Sequence, residues 1–104
     1  MKKGIITYDI SMTKERSLLA KLLQGYCRRV QFSVFEFELK ENVYEELFNK
    51  VLDSYNKYKS NSILYKGHNN NYSIRIYLLC DSCIRKAYCF ENSKTIYKVE
   101  GDIY

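Results

Sequence analysis

Between residues 28 and 39 the chain switches the side on which it keeps its apolar side chains. Val30, Phe32 and Val34 share one parity, and Phe35, Phe37 and Leu39 share the other. Strand side chains alternate with period two, so one straight strand cannot offer both sets to a single core. The pattern predicts a bulge or break near Ser33 to Phe35, which makes two strands of one apparent run. Such bends re-aim side chains. This one is expected to bring a hydroxyl, an aromatic ring and the guanidinium groups of Arg28 and Arg29 close together, a set suited to a phosphate backbone.

Helical patterns flank this break. Leu18, Leu19, Leu22, Leu23 and Tyr26 recur at helical spacing and predict an amphipathic helix over about 13–26, with Thr13 as N-cap and Gly25 near its end. Tyr44, Leu47, Phe48, Val51, Leu52 and Tyr55 predict a second over about 41–58, and Glu41, Glu45, Glu46 and Lys50 line its other face. Gly4 to Asp9 reads as a short buried strand ending on a carboxylate. Tyr72 to Leu79 alternates Ile74, Ile76 and Leu78 with Ser73, Arg75 and Tyr77, the mark of a half-buried strand. Lys59 to Asn71, with its asparagine triplet and Gly67, reads as a loop in which Ile63-Leu64-Tyr65 packs locally or forms a short strand. Lys86 to Phe90 and Thr95 to Val99 are two further strand candidates after a turn bearing Cys80 and Cys83.

This order, β-α-β-β-α-β with extra C-terminal strands, predicts an α+β fold of ferredoxin-like type, with both helices on one face of an antiparallel sheet. All 104 residues fit one domain, in which about 84–104 form a C-terminal strand extension. The scaffold alone does not choose a function, since ribonucleases, RNA-recognition domains and metal chaperones share it.

A formal net charge of +5 favours polyanionic partners, and 11 tyrosines favour wet interfaces over a purely apolar core. Met1-Lys2-Lys3 leads into an apolar run too short for a signal peptide or membrane span, so the expected location is the cytoplasm, with no membrane partner. In that compartment Cys27, Cys80, Cys83 and Cys89 are expected to stay reduced. A zinc site would need more than the single Cys80–Cys83 pair, and His68 stands at no standard spacing from it, so the thiols read as free and buried. His68 itself reads as an exposed loop residue.

Tyr8-Asp9-Ile10, Arg16, Tyr26, the run from Arg29 to Glu36 and Ser73-Ile74-Arg75-Ile76-Tyr77, taken in that order, resemble CRISPR-associated protein two. This is the small ferredoxin-like nuclease and scaffold of the spacer-acquisition machinery. The resemblance spans about residues 4–83. It departs from the usual pattern at Cys27, where glycine is frequent, at Leu78, where proline is frequent, and over 59–72, which is longer than usual. It implies a homodimer in which Asp9 of each subunit faces its mate across the two-fold and the pair shares a magnesium ion. It further implies cleavage of single-stranded RNA or double-stranded DNA, the bridging of two dimers of the CRISPR-associated integrase, protein one, and docking of the C-terminal strand on the partner subunit.

Each candidate also has a plainer reading. Asp9 reads alone as a turn residue capping the loop into the first helix, and with the resemblance as the catalytic metal carboxylate. Arg16 is either a solvated first-turn arginine or a phosphate contact. Arg28 and Arg29 are strand-edge charges or phosphate ligands, the latter favoured for Arg29. Ser33 bonds its own backbone at the bend or orients water or phosphate. Phe35 is a core aromatic or a catalytic-site ring aimed at a nucleobase. Glu36 sits solvated on its strand or supports the ion's ligands. Three functions follow: a metal-dependent phosphodiesterase, a DNA-bridging scaffold without chemistry of its own, and a stand-alone toxin-type messenger-RNA nuclease. An RNA-recognition domain is disfavoured because no Lys/Arg-Gly-Phe run occurs.

Overall fold

In the computed structural model, residues 1–61, 71–86, 88–89 and 97–98 are described. The elements run β1 (Lys2–Ile10), α1 (Thr13–Gln24), β2 (Arg28–Gln31), β3 (Val34–Leu39), α2 (Glu41–Asn61), β4 (Tyr72–Leu79), α3 (Asp81–Arg85), β5 (Tyr88–Cys89) and β6 (Tyr97–Lys98). The first four strands form one antiparallel sheet in the order β2-β3-β1-β4, the ferredoxin-like arrangement. Among the described residues, β5 and β6 pair with each other, in a separate two-stranded sheet.

The two faces of this sheet differ because β1 alternates strictly. Gly4, Ile6, Tyr8 and Ile10 are buried under the helices, while Lys3, Ile5 and Thr7 are half-buried and Asp9 is exposed on the open face. The pairing Ile6 with Phe35 and Ile76 carries the same division across to β3 and β4. Leu19 and Leu23 of α1 and Leu47 and Val51 of α2 close the core over Ile6, Tyr8, Ile10, Phe35 and Phe37. Leu18, expected in the stripe of α1, is 60% exposed; the buried stripe is Leu19, Ala20 and Leu23. Gly4 is required by close approach: a Cβ there would overlap the Tyr77 carbonyl oxygen and come within 2.7 Å of Phe37 Cζ.

Four local expectations need correcting. The break in the aromatic run is a two-residue turn at Phe32 and Ser33, and the bulge lies earlier, between Arg29 and Gln31. Thr13 is the first helical residue rather than the cap; Met12 holds that place with no side-chain cap hydrogen bond. α2 continues through Asn61, since nothing in Lys59-Ser60-Asn61 stops a helix and the Tyr58 ring stacks on Tyr72 with centroids 4.2 Å apart. The turn after β4 is a short helix, α3, and Cys80 and Cys83 are exposed, not buried, because that helix lies outside the core. Ile63-Leu64-Tyr65 and His68 lie outside the described residues. No helix among the described residues is long and apolar enough to cross a membrane.

Candidate active site

Strand β1 delivers Asp9 to the end of the sheet on its open face, one residue before the strand closes on buried Ile10. The Asp9 carboxylate is exposed and has no hydrogen bond or ion pair with a described residue. It therefore does not cap the loop to α1. That loop is held instead by Ser11, whose N–H donates to the Asn71 carbonyl at 3.1 Å and whose hydroxyl accepts the Asn71 N–H at 2.8 Å. The clasp pins the strand end that carries Asp9 to the start of β4.

On the other side of Asp9 lies the β2–β3 turn. The Tyr8 N–H donates to the Ser33 carbonyl at 3.2 Å, extending the β1–β3 ladder by one step, so Phe32 and Ser33 run alongside Tyr8 and Asp9. The Phe32 carbonyl is the anchor of this turn. It accepts the buried Tyr8 hydroxyl at 3.0 Å and two donors of Arg29, Nη2 at 2.7 Å and Nε at 3.3 Å. Phe32 itself is 68% exposed.

Two guanidinium groups converge on that ring. Arg29 lies 5.1 Å from the Phe32 centroid and 5.3 Å from that of Phe35; Arg16 lies 5.8 Å from Phe32. Arg16 is not a freely solvated residue of the first helical turn. Its Nη1 donates to the Ile10 carbonyl at 3.3 Å and its Nη2 to Thr13 Oγ1 at 3.4 Å, so the end of β1 and the start of α1 hold it. Both arginines keep donors in excess of these bonds, since a guanidinium carries five N–H groups. An exposed ring flanked by two oriented cations has the chemistry to stack an aromatic base and to attract phosphate charge.

The structure redistributes the candidates. Arg16 and Arg29 come together; Arg28 does not join them. Arg28 faces Glu36 across the β2–β3 ladder and Arg29 faces Phe35, so the two adjacent arginines lie on opposite faces. Phe35 is corrected outright: at 0% exposure, with its ring 6.2 Å from that of Tyr8, it is a core aromatic and cannot stack on a nucleobase. Phe32 is the ring available for that task. The sequence held one hint of it, since Phe32 shares parity with Val30 and not with the buried set. Ser33 is half-buried at the turn, and its carbonyl serves β1. Glu36 pairs with Ile5, four residues back from Asp9, or about 13 Å along the strand at 3.3 Å per residue, too far to support an ion held there.

Sequence reasoning also passed over Arg75. It pairs across from Thr7 on the open face, next to the Asp9–Ser73 pair, and donates to the Tyr77 hydroxyl at 3.5 Å. A cleft of about 530 Å³ lies elsewhere, between α1 and α2, with Lys14, Leu18, Lys50, Asp53, Lys57 and Tyr58 in its walls; Asp9, Arg16, Arg29 and Phe32 do not line it.

No group of three potential metal-ligating side chains occurs among the described residues. Among the described residues, Asp9 therefore has no two carboxylate, histidine or cysteine side chains grouped with it, and one carboxylate alone is a poor site for a hard cation.

Residues 1–87 match the family described as CRISPR associated protein Cas2. A protein of Chloroflexus aurantiacus named CRISPR-associated endoribonuclease Cas2 1 is 39% identical over 79 residues, which cover 76% of this chain and 73% of the relative. One from Methanospirillum hungatei, named CRISPR-associated endoribonuclease Cas2 2, is 34% identical over 83 residues, 80% of this chain and 79% of that one. Among solved structures, a chain of a partial Cas6-RT-Cas1–Cas2 complex superimposes with a TM-score of 0.62 at 31% identity, covering 84% of this chain and 88% of that one. With the ferredoxin-like sheet and the Asp9 strand end, these matches make the chain a member of the CRISPR-associated Cas2 family.

Proposed function

We propose that this chain is an endoribonuclease subunit of CRISPR spacer adaptation, acting as a homodimer that holds magnesium between two Asp9 carboxylates. The observation that carries the reading is the uncommitted, exposed Asp9 beside a turn that presents Phe32 between two oriented arginines. The relatives named as endoribonucleases support the reaction class, and the solved complex containing Cas1 and Cas2 supports an integrase partner.

The donor set fits magnesium only in a dimer. One carboxylate is a poor site for a small hard cation, whereas two, related by symmetry and joined by waters and substrate phosphate oxygens, suit its octahedral preference. The half-buried side chains of the open face, Ile5, Thr7, Val34 and Leu79, give a second copy something to cover. When bound, the ion supplies polarisation of the phosphodiester and a more acidic water.

The chain's own residues do the rest. Arg16 and Arg29 take phosphate oxygens, Phe32 stacks a base, and the Tyr8 hydroxyl and Ser33 carbonyl keep the turn in register with Asp9. The substrate strand thereby passes the end of the sheet with its backbone held next to the carboxylate. Double-stranded DNA is the alternative substrate. In the scaffold reading, the same surface binds DNA for the integrase and Asp9 chemistry is dispensable.

Asp9→Asn tests this. It keeps side-chain size and removes the charge that holds the ion, so RNA cleavage should fall by about two orders of magnitude or more, with fold, dimer and RNA affinity retained. Chelation of magnesium should lower wild-type cleavage similarly. Full-rate, magnesium-independent cleavage by Asp9→Asn would overturn the catalytic assignment. Spacer acquisition that survives the same change would favour the scaffold role.

A further inference from the structure

Away from the Asp9 end, one pair of side chains is arranged for chemistry that the proposed reaction does not use. Cys80 stands between β4 and α3, Cys83 lies within α3, and both thiols are exposed. Their sulfurs share a hydrogen bond at 3.1 Å. Cys80 Sγ also accepts the Cys83 N–H at 3.3 Å and lies 3.1 Å from Ser82 Oγ. The Ser82 hydroxyl first, and then Cys83, bring the Cys80 thiol down to about 7, while the Cys80 sulfur raises that of Cys83. At neutral pH one sulfur is thus a ready nucleophile and the other keeps its proton.

The spacing separates two uses of such a pair. A disulfide needs about 2.05 Å between sulfurs, so this pair must close by roughly 1 Å through side-chain rotation. Tetrahedral zinc, with bonds of about 2.3 Å, holds its sulfurs roughly 3.7 Å apart and asks for movement in the opposite sense and for two further ligands. No third ligand stands with the pair among the described residues.

We propose that Cys80 and Cys83 form a reversible dithiol–disulfide site that reacts with low-molecular-weight disulfides. The Cys80 thiolate attacks one sulfur of the oxidant, breaking its S–S bond and releasing one thiolate. Cys83 then loses its proton to solvent and attacks Cys80 Sγ, forming the intramolecular S–S bond and expelling the second thiolate. The two protein thiols give up two electrons, and the oxidant takes them as two thiols. The site lies where β4 passes through α3 to the β5–β6 pair, and Asp81 beside it is tied to β1 by Lys3 at 3.1 Å. Oxidation therefore fixes the junction of β4 with α3.

The full chain, equilibrated in glutathione buffers of graded potential, alkylated and digested with trypsin, tests the proposal. Cleavage after Arg75 and Arg85 releases Ile76–Arg85, which contains Cys80, Cys83 and no other cysteine. This peptide should pass from doubly alkylated to unalkylated and lighter by two hydrogens as the buffer becomes oxidising. With oxidised glutathione at pH 7, Cys83→Ser should trap one glutathione on Cys80, and Cys80→Ser should react at Cys83 roughly tenfold more slowly, as its smaller thiolate fraction demands. The proposal fails if the peptide stays doubly alkylated in fully oxidised buffer. It fails equally if Cys80 pairs with Cys27 or Cys89, if the two variants react at one rate, or if stoichiometric zinc is found on the thiols.

Discussion

Phe32→Ala separates the nucleic-acid surface from the core more cleanly than any other single change. The ring is 68% exposed, and its main-chain carbonyl, which anchors Tyr8 and Arg29, survives the substitution. The folded state therefore loses little packing and two exposed cation–π contacts, a cost of about 1–2 kcal/mol. Binding should suffer more. A base stacked on an aromatic ring contributes about 1–3 kcal/mol, so affinity for a single-stranded RNA should fall roughly 5- to 150-fold. Phe35→Ala should behave in the opposite way. Its ring is fully buried, and its removal should cost about 3–5 kcal/mol of stability, a large share of the roughly 5–15 kcal/mol available to a small domain. Fluorescence anisotropy across a salt series, paired with thermal melts, reads both quantities. In Phe32→Ala the line of log affinity against log salt should shift downward with unchanged slope, since no charge is lost. Unchanged affinity in Phe32→Ala, or a stable Phe35→Ala that binds RNA poorly, would show that the two rings have been assigned the wrong roles.

Other outcomes follow from the same geometry. Arg29→Ala should reduce the salt slope for single-stranded RNA by about 0.7, the release expected for one phosphate contact, whereas Arg28→Ala, whose side chain lies on the other face of the sheet from the Arg29–Phe32 contact, should reduce it less. Gly4→Ala forces a methyl group into the Tyr77 carbonyl and the Phe37 ring; because the carbonyl belongs to the paired strand and cannot swing aside, stability should drop by about 1–3 kcal/mol or more, read as a Tm lower by roughly 10 °C. Burial pushes the Cys27 thiol up to about 12 from an ordinary value of 9.0, so the unfolded chain ionises there first. Its contribution to stability is complete below about pH 9 and is lost as pH rises toward 12, and denaturant midpoints of wild type should fall more steeply over that window than those of Cys27→Ala.

The residues determined a good deal without the fold. The two periodicities, 3.6 in the helices and 2 in the strands, are local properties, so the order of the first six elements could be read directly from apolar spacing. The change of parity between Val34 and Phe35 implied a break in the run, and a hairpin turn lies just before it, at Phe32 and Ser33. Asp9 was placed correctly at a strand end because strand length and the start of the helical pattern are both local. Tertiary structure decided what depends on distant neighbours. Parity says that Phe32 and Phe35 face different ways, but only the packing of α1 and α2 over one face makes Phe35 core and Phe32 surface. Arg16 joins Arg29, thirteen positions away, because α1 springs from the same strand end that the β2–β3 turn reaches, a closeness that no local pattern encodes. The exposure of Cys80 and Cys83 is of the same kind: cysteine is apolar enough to be buried by default, and it stays outside here because the five-residue α3 sits beyond the last strand, where no helix covers it.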